Sequence, residues 1–254
     1  MPKLPPIDPD AQAFLTATGI TDPTISTAID TLVVALKNNS LWAKMKAIYP
    51  MVGGTATTNK FNLKDPRDLD AAFRLVFFGG WTHSSNGVLP NGVNAYADTF
   101  LNSSTVVLQN NFHNSLYSRT NSAGLFNDLS VYTTAFGISN YLRLSAALGY
   151  TTHSNSIIFD ATAAIVNSQG FFSQSRIASN QYLKRYKGIS QTVLRNSIAA
   201  LNANFILSRT GNANAEYSNR ELSFCTIGDG LTSGELITLE TLCNNFQTTL
   251  SRNV

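Results

Sequence analysis

Glycoside hydrolysis needs two carboxyl groups held roughly 5 to 9 Å apart across a sugar bond, so the acidic residues are the first to place. The only glutamates, Glu216, Glu221, Glu235 and Glu240, stand near the C-terminus. Across residues 71 to 215 the acids are Asp98, Asp128 and Asp160, each alone in its stretch of chain. No strand carries two of them, and no catalytic carboxylate is expected. Acyl transfer would need a nucleophile beside a histidine, but His83, His113 and His153 lie in unrelated contexts without a nucleophile-elbow motif. The run Gly228-Asp229-Gly230-Leu231-Thr232-Ser233-Gly234 is rich enough in glycine to cradle a phosphate. Glu235 follows it where a phosphate loop has Lys, so an anion would be repelled. Cys225 and Cys243 form no CxxC or Cys/His cluster and read as free buried thiols. Asp98 with Asn91 and Asn94 is the one group of oxygens with a calcium-like composition, and it too is sparse. The expectation is a chain with no catalytic residue, no metal and no cofactor.

Binding is the chemistry left. Sugar sites combine a stacking aromatic ring with amides and hydroxyls, and the chain offers Trp81, Tyr96, Tyr117, Tyr132, Tyr141, Tyr150, Tyr182 and Tyr186 among Asn and Arg neighbours. About half of all strand aromatics face a core, which narrows the choice. A surface site is expected at Trp81, His83 and Asn86 in WTHSSNG, together with Tyr186. Basic residues concentrate in 71 to 215, nine against three acids, but are spread singly apart from Lys184-Arg185-Tyr186-Lys187. Such spacing gives solvated charges and not a nucleic-acid surface.

These residues need a scaffold. Apolar residues make up 43% of the 254 and charged ones only 13%, against about 25% in ordinary soluble domains. Solubility then rests on Asn, Ser and Thr, which suit strands and turns better than helices. The first 51 residues differ. Asp8-Pro9-Asp10 opens a helix ending at Gly19, and Asp22-Pro23 caps a second. Ile25, Ile29, Leu32, Val33 and Leu36 recur at helical steps, and SLWAKMKAIYP is expected to add another turn or two with Trp42, Met45 and Tyr49 on one face. This stripe either packs on the following domain or binds a partner through Ile25, Ile29, Leu32, Leu36 and Trp42. From residue 52 to 254 the period changes. Strands are expected around Phe73, Leu75 and Phe77, then in STVVLQN, HNSLYSRT, DLSVYTTAF, YLRLSAAL, SIIFDA, QGFFSQSRIA, QYLKRYK, SQTVLR, NANFILSR and RELSFCTI, with GGWTHSSNGVLPNG as a loop. Short strands without intervening helices make an antiparallel β-sandwich. After the last strand, Thr232 and Glu235 form a capping box for a helix with Leu236, Leu239, Leu242, Cys243 and Phe246 on one side. No run of 18 apolar residues could span a membrane, and MPKLPPIDPD lacks a signal region, so synthesis in a cytoplasm is expected.

YLKRYKGISQ at 182 to 191, ANFILSR at 203 to 209 and RELSFCTIGDGLTSGEL at 220 to 236 follow one another in an order that resembles the concanavalin A-like lectin/glucanase superfamily, particularly its laminin-G-like jelly rolls. Lys187-Gly188 matches the family's hairpin turn, Arg220 to Ile227 its final strand, and Leu231, Thr232 and Glu235 its closing turn. The likeness covers about residues 71 to 245; FILSRTG departs from the family's glycine-bearing strand. It implies a mainly β jelly-roll sandwich. Residues 60 to 102, with LYSRTNS and IGDGLT, are similar to structural proteins of tailed bacteriophages. That likeness implies a non-enzymatic virion component, joined to other virion proteins or to copies of itself. The alternative is an adhesin that recognises host-surface glycans.

Overall fold

The computed structural model describes residues 6–254. Two helices come first, α1 (Pro9–Thr18) and α2 (Pro23–Asn38). Asp8 and Asp22 cap them as expected, each with a proline in the first turn, and Gly19 closes α1 in the left-handed conformation. The chain then departs from the helical reading. Trp42–Lys44 is a single 3-10 turn, and Met45–Tyr49 is a strand, β1. A one-residue bulge between Met45 and Ala47 sends Met45 and Ile48 toward the helices and Ala47 and Tyr49 into the sandwich.

After the short helix α3 (Ala56–Asn59) the strands are β2 (Val76–Phe78), β3 (Trp81–Ser84), β4 (Gly87–Pro90), β5 (Tyr96–Asn102), β6 (Phe112–Ser118), β7 (Leu129–Tyr132) and β8 (Phe136–Tyr141). They continue with β9 (Leu148–Ser154), β10 (Asp160–Ala163), β11 (Gly170–Arg176), β12 (Gln181–Tyr186), β13 (Ile189–Leu194), β14 (Asn204–Leu207) and β15 (Leu222–Gly228), and α4 (Ser233–Thr249) closes the fold. The Thr232–Glu235 capping box starts α4. One expected loop and two expected strands are different. WTHSSNGVLPNG is the β3–β4 hairpin, turned at Ser85-Asn86. STVVLQN is a turn that drops Val107 into the core while Leu108 stays exposed. Most of YLRLSAAL is the β8–β9 turn, where the Ser145 hydroxyl accepts from Ala147 and Leu148 N–H.

The strands form a jelly-roll sandwich of two antiparallel sheets. The first runs β13-β12-β11-β6-β15-β4-β3, with β1 also on β15; the second runs β10-β9-β8-β7-β14-β5-β2. Between them lies one core, including Phe112, Leu116, Tyr150, Phe172, Phe205, Leu207 and Cys225. A second core, with Tyr117, Phe171 and Phe224 from the outer side of the first sheet, packs under α1, α2 and α4. The layers are therefore helices, first sheet, second sheet. Because the first sheet is covered on both sides, β6 and β15 are buried at every residue. In the second sheet β5 alternates strictly between half-buried and buried, the pattern of a strand with one open side.

The first 51 residues are built into this body. β1 pairs with Cys225–Gly228, and the guanidinium of Arg252, just after α4, donates to the carbonyls of Pro50 and Met51. Ile29, Leu32 and Leu36 are buried against α4 and the first sheet, and Ile25 and Trp42 pack beside them. Of the two expectations for this stripe, the structure shows packing on the following domain. Apolar burial explains the choice, since α4 supplies a matching stripe of Leu239, Cys243 and Phe246.

Candidate functional site

The outer side of the second sheet is where aromatic rings meet solvent. Phe78 on β2 and Tyr96 on β5 are directly opposed and stack with centroids 4.7 Å apart at 11°. The Arg209 guanidinium carbon lies 3.4 Å from the Tyr96 ring centroid, too close for the Phe78 ring to share that face, so it takes the far side. Three layers result: Phe78, Tyr96, Arg209. Gly79 makes the approach possible, because its φ is +76° and a Cβ there would lie 2.3 Å from the Asn94 carbonyl oxygen.

A second group lies across the sheet. Tyr132 and Phe136 pack with centroids 4.9 Å apart, Phe136 stacks on His153 at 4.6 Å, and Phe159 meets His153 edge-on at 6.0 Å. Phe136 has the same parity along β8 as Ile138, which is in the core. A bulge corrects this: Val131 pairs with Ile138 but Tyr132 with Phe136, so Gly137 is unopposed and Phe136 turns outward. Phe78 and Phe159 are 41% and 51% exposed, and Tyr96, Tyr132 and Phe136 are partly exposed. The loop 208–217 lies between the groups. Gly211 N–H donates to Ser130 Oγ, which donates in turn to the Arg209 carbonyl. Asn204, Asn214 and several hydroxyls complete a polar surround.

The titratable groups here do not form a catalytic set. Tyr141 donates to Glu216 Oε2 at 2.6 Å, a pairing that could activate a phenol. Burial raises its pKa, and the accepting carboxylate raises it further, the opposite of what a nucleophile needs. His153 is lowered to about 4 by burial and is neutral near pH 7. Its Nδ1 lies 2.7 Å from Ser139 Oγ. The three aspartates stand apart. Asp128, fully buried, pairs with Arg220 at 2.7 Å; Asp160 meets Lys184 at 3.0 Å; Asp98 accepts from Phe100 N–H and Asn204. Asn91 and Asn94 spend their side-chain oxygens on N–H donors, including Gly80, Val93 and Ala95. No group of three His, Cys, Asp or Glu suited to a metal occurs among the described residues.

Of the four residues expected to bind sugar, Trp81 and His83 lie side by side on β3, with ring centroids 6.4 Å apart, and Tyr186 is far from both. Tyr186 is only 8% exposed, packed 5.8 Å from Tyr150 in the core between the sheets, because its position on β12 faces the second sheet. Lys184 and Arg185 beside it are also used internally, on Asp160 and Glu240. Trp81 is half-buried and its indole N–H donates to the carbonyls of both Phe78 and Tyr96. It braces the stack and is not the platform. His83 lies edge-on to Phe77 with Nδ1 3.0 Å from the Asn59 amide, and burial lowers its pKa. Asn86 is exposed at the hairpin tip. Phe78, Phe136, Phe159 and Arg209 were not expected, although the alternation of YADTFLN held the signal for Tyr96.

A cavity of about 660 Å³ opens elsewhere, between the α1–α2 turn, residues 52–58 and the end of α4. No aromatic ring lines it, and its carboxylate, Asp22, is already bonded to Thr24 and Ile25 N–H.

No family model matches the chain, and no curated protein is similar to it. Among solved structures it is similar to domain 4 of AbnA, a GH43 extracellular arabinanase from Geobacillus stearothermophilus, in complex with arabinotriose, at 12% identity over 80% of this chain and 98% of that one, with a TM-score of 0.49. The CBM40 of Ruminococcus gnavus IT-sialidase is 16% identical over 52% of this chain and 84% of its own, with a TM-score of 0.41. The Ca2+-bound exoplasmic/lumenal domain of VIP36 is 9% identical over 74% and 92%, with a TM-score of 0.42.

Proposed function

We propose that the protein is a non-catalytic carbohydrate-binding module whose ligand lies on the open side of the second sheet. The observation that carries this is the pair of partly exposed aromatic groups there, Phe78–Tyr96 and Tyr132–Phe136–Phe159, on a face that no helix covers. Sugar rings present apolar C–H faces that stack on such rings, and hydroxyls that pair with amides such as Asn204 and Asn214. A bulge that turns an aromatic ring away from a core, as at Gly137, is costly unless that ring has use outside.

A glycan array tests the reading. The wild-type chain is expected to bind a defined set of glycans, and Phe78→Ala with Phe136→Ala to lose at least about tenfold in affinity. Absence of any binding, or binding untouched by both changes, would refute it. The resemblance of residues 60 to 102 to phage structural proteins supports a setting on a virion, where this face would serve adsorption. Mass spectrometry of gradient-purified particles tests that placement: a fixed ratio to the major capsid protein supports it, and absence from particles contradicts it.

A further inference from the structure

Arg209 is 7% exposed, and a guanidinium so far from water must find acceptors for its five N–H donors. Two other buried arginines without a carboxylate find several, although Arg176 Nη2 is left without a partner. Arg176 donates to the carbonyls of Ser154, Ala178, Gln181 and Arg195, and Arg252 to those of Met51, Pro50 and Ser223 and to Gln247. Arg220 has Asp128. Arg209 has far less: Nη1 donates to Asn214 Oδ1 at 2.5 Å, Nε is buried without a partner, and Nη2 makes no bond among the described side chains. No carboxylate reaches it. The acids on this face are otherwise engaged, Asp98 with Asn204 and Phe100 N–H, Glu216 with Tyr141 and Thr210.

The side chain is nevertheless fixed. Tyr96 packs against the guanidinium, Trp81 holds the carbonyls of Tyr96 and Phe78, and Asn214, in the left-handed conformation, holds Nη1. Ser208 at φ +66° breaks the alternation of β14 and aims Arg209 along this side of the sheet. A rigid, largely buried cation with Nη2 unbonded among the described side chains, at the rim of an aromatic platform, fits an anion bonded to a sugar.

We propose that the ligand is an acidic saccharide, whose carboxylate is met by Arg209 while its ring lies along Tyr96 and Phe78. The proposal rests on the glycan-binding reading and narrows it to a substrate class.

The test compares a uronic-acid oligosaccharide with the same oligosaccharide after its carboxyl groups are reduced to alcohols, by titration calorimetry on the full chain. The acidic form is expected to bind at least about tenfold more tightly. Arg209→Gln should bring the two within about threefold of each other, and Arg209→Lys, which keeps charge without the planar fork, should retain part of the preference. Thermal melts of both variants separate loss of preference from loss of fold. Equal affinities in the wild type, or a preference that survives in folded Arg209→Gln, overturn the acidic proposal and leave neutral glycan binding standing. If neither oligosaccharide nor any array glycan binds, the glycan reading falls, and this proposal with it.

Discussion

Replacing Arg252 by Ala should cost this protein a large part of its stability, although the residue lies beyond the last helix. The side chain is 1% exposed, and its guanidinium donates to Met51 O at 2.7 Å, Pro50 O and Ser223 O at 3.1 Å, and Gln247 Oε1 at 3.0 Å. It thereby joins the end of β1, the start of β15 and the end of α4. Burial lowers its pKa to about 10, so the site removes the cation from water without a carboxylate to offset the loss. The acceptors must compensate. In the Ala variant three buried carbonyls lose their donor, at about 1 to 3 kcal/mol for each group that water cannot reach. Some water will enter the space the side chain leaves, so the lower half of that range applies, and the loss is about 4 kcal/mol. For a chain of this length that corresponds to roughly 8 to 16 °C in Tm. Arg252→Lys has one donor atom where the arginine has three and should recover about half. Urea unfolding of the three proteins measures these differences. A variant within about 1 kcal/mol of wild type would refute the reasoning and make the clamp a passive consequence of packing.

Stability should also fall on mild acidification. Burial holds His113 and His153 at about 4, below the 6.5 of an exposed histidine, so as pH drops the unfolded chain takes up protons that the folded one refuses. The stabilisation is complete above about pH 6.5 and is lost toward pH 4; between pH 7 and 5 each histidine accounts for about 2 kcal/mol, and His153→Gln should remove one such share. Stability unchanged over that interval would contradict the burial assigned to them. Asp128→Ala should cost about 3 to 5 kcal/mol by leaving Arg220 buried and unpaired, and Asp128→Ala with Arg220→Met should recover most of it, as a double-mutant cycle would show.

Much of the scaffold was legible because it is local. Asp22-Pro23 and Thr232 with Glu235 cap helices by contacts within one turn, and the alternation in QGFFSQSRIA and QYLKRYK needs only a sheet to pack in. The site was not legible for the opposite reason. Whether Tyr186 or Tyr96 meets water depends on which side of its strand faces the opposite sheet: Tyr186 points into the core between the sheets and Tyr96 away from it, a pairing of distant strands that local alternation does not reveal. The outward turn of Phe136 depends on a bulge at Gly137, and the aim of Arg209 on one left-handed residue, Ser208. β1 was misread because Trp42, Met45 and Tyr49 fit a helical period as well as a bulged strand, and the free edge of β15 decided between them.

The central claim is that sugars lie on the open side of the second sheet, and the most direct measurement is a crystal structure of the protein with the strongest ligand from the array. The account predicts a sugar ring stacked on Phe78–Tyr96 or Tyr132–Phe136, with a polar group in hydrogen-bond range of Arg209, Asn204 or Asn214. A ligand seated instead in the cavity between the α1–α2 turn and the end of α4, with the aromatic face left bare, would contradict it.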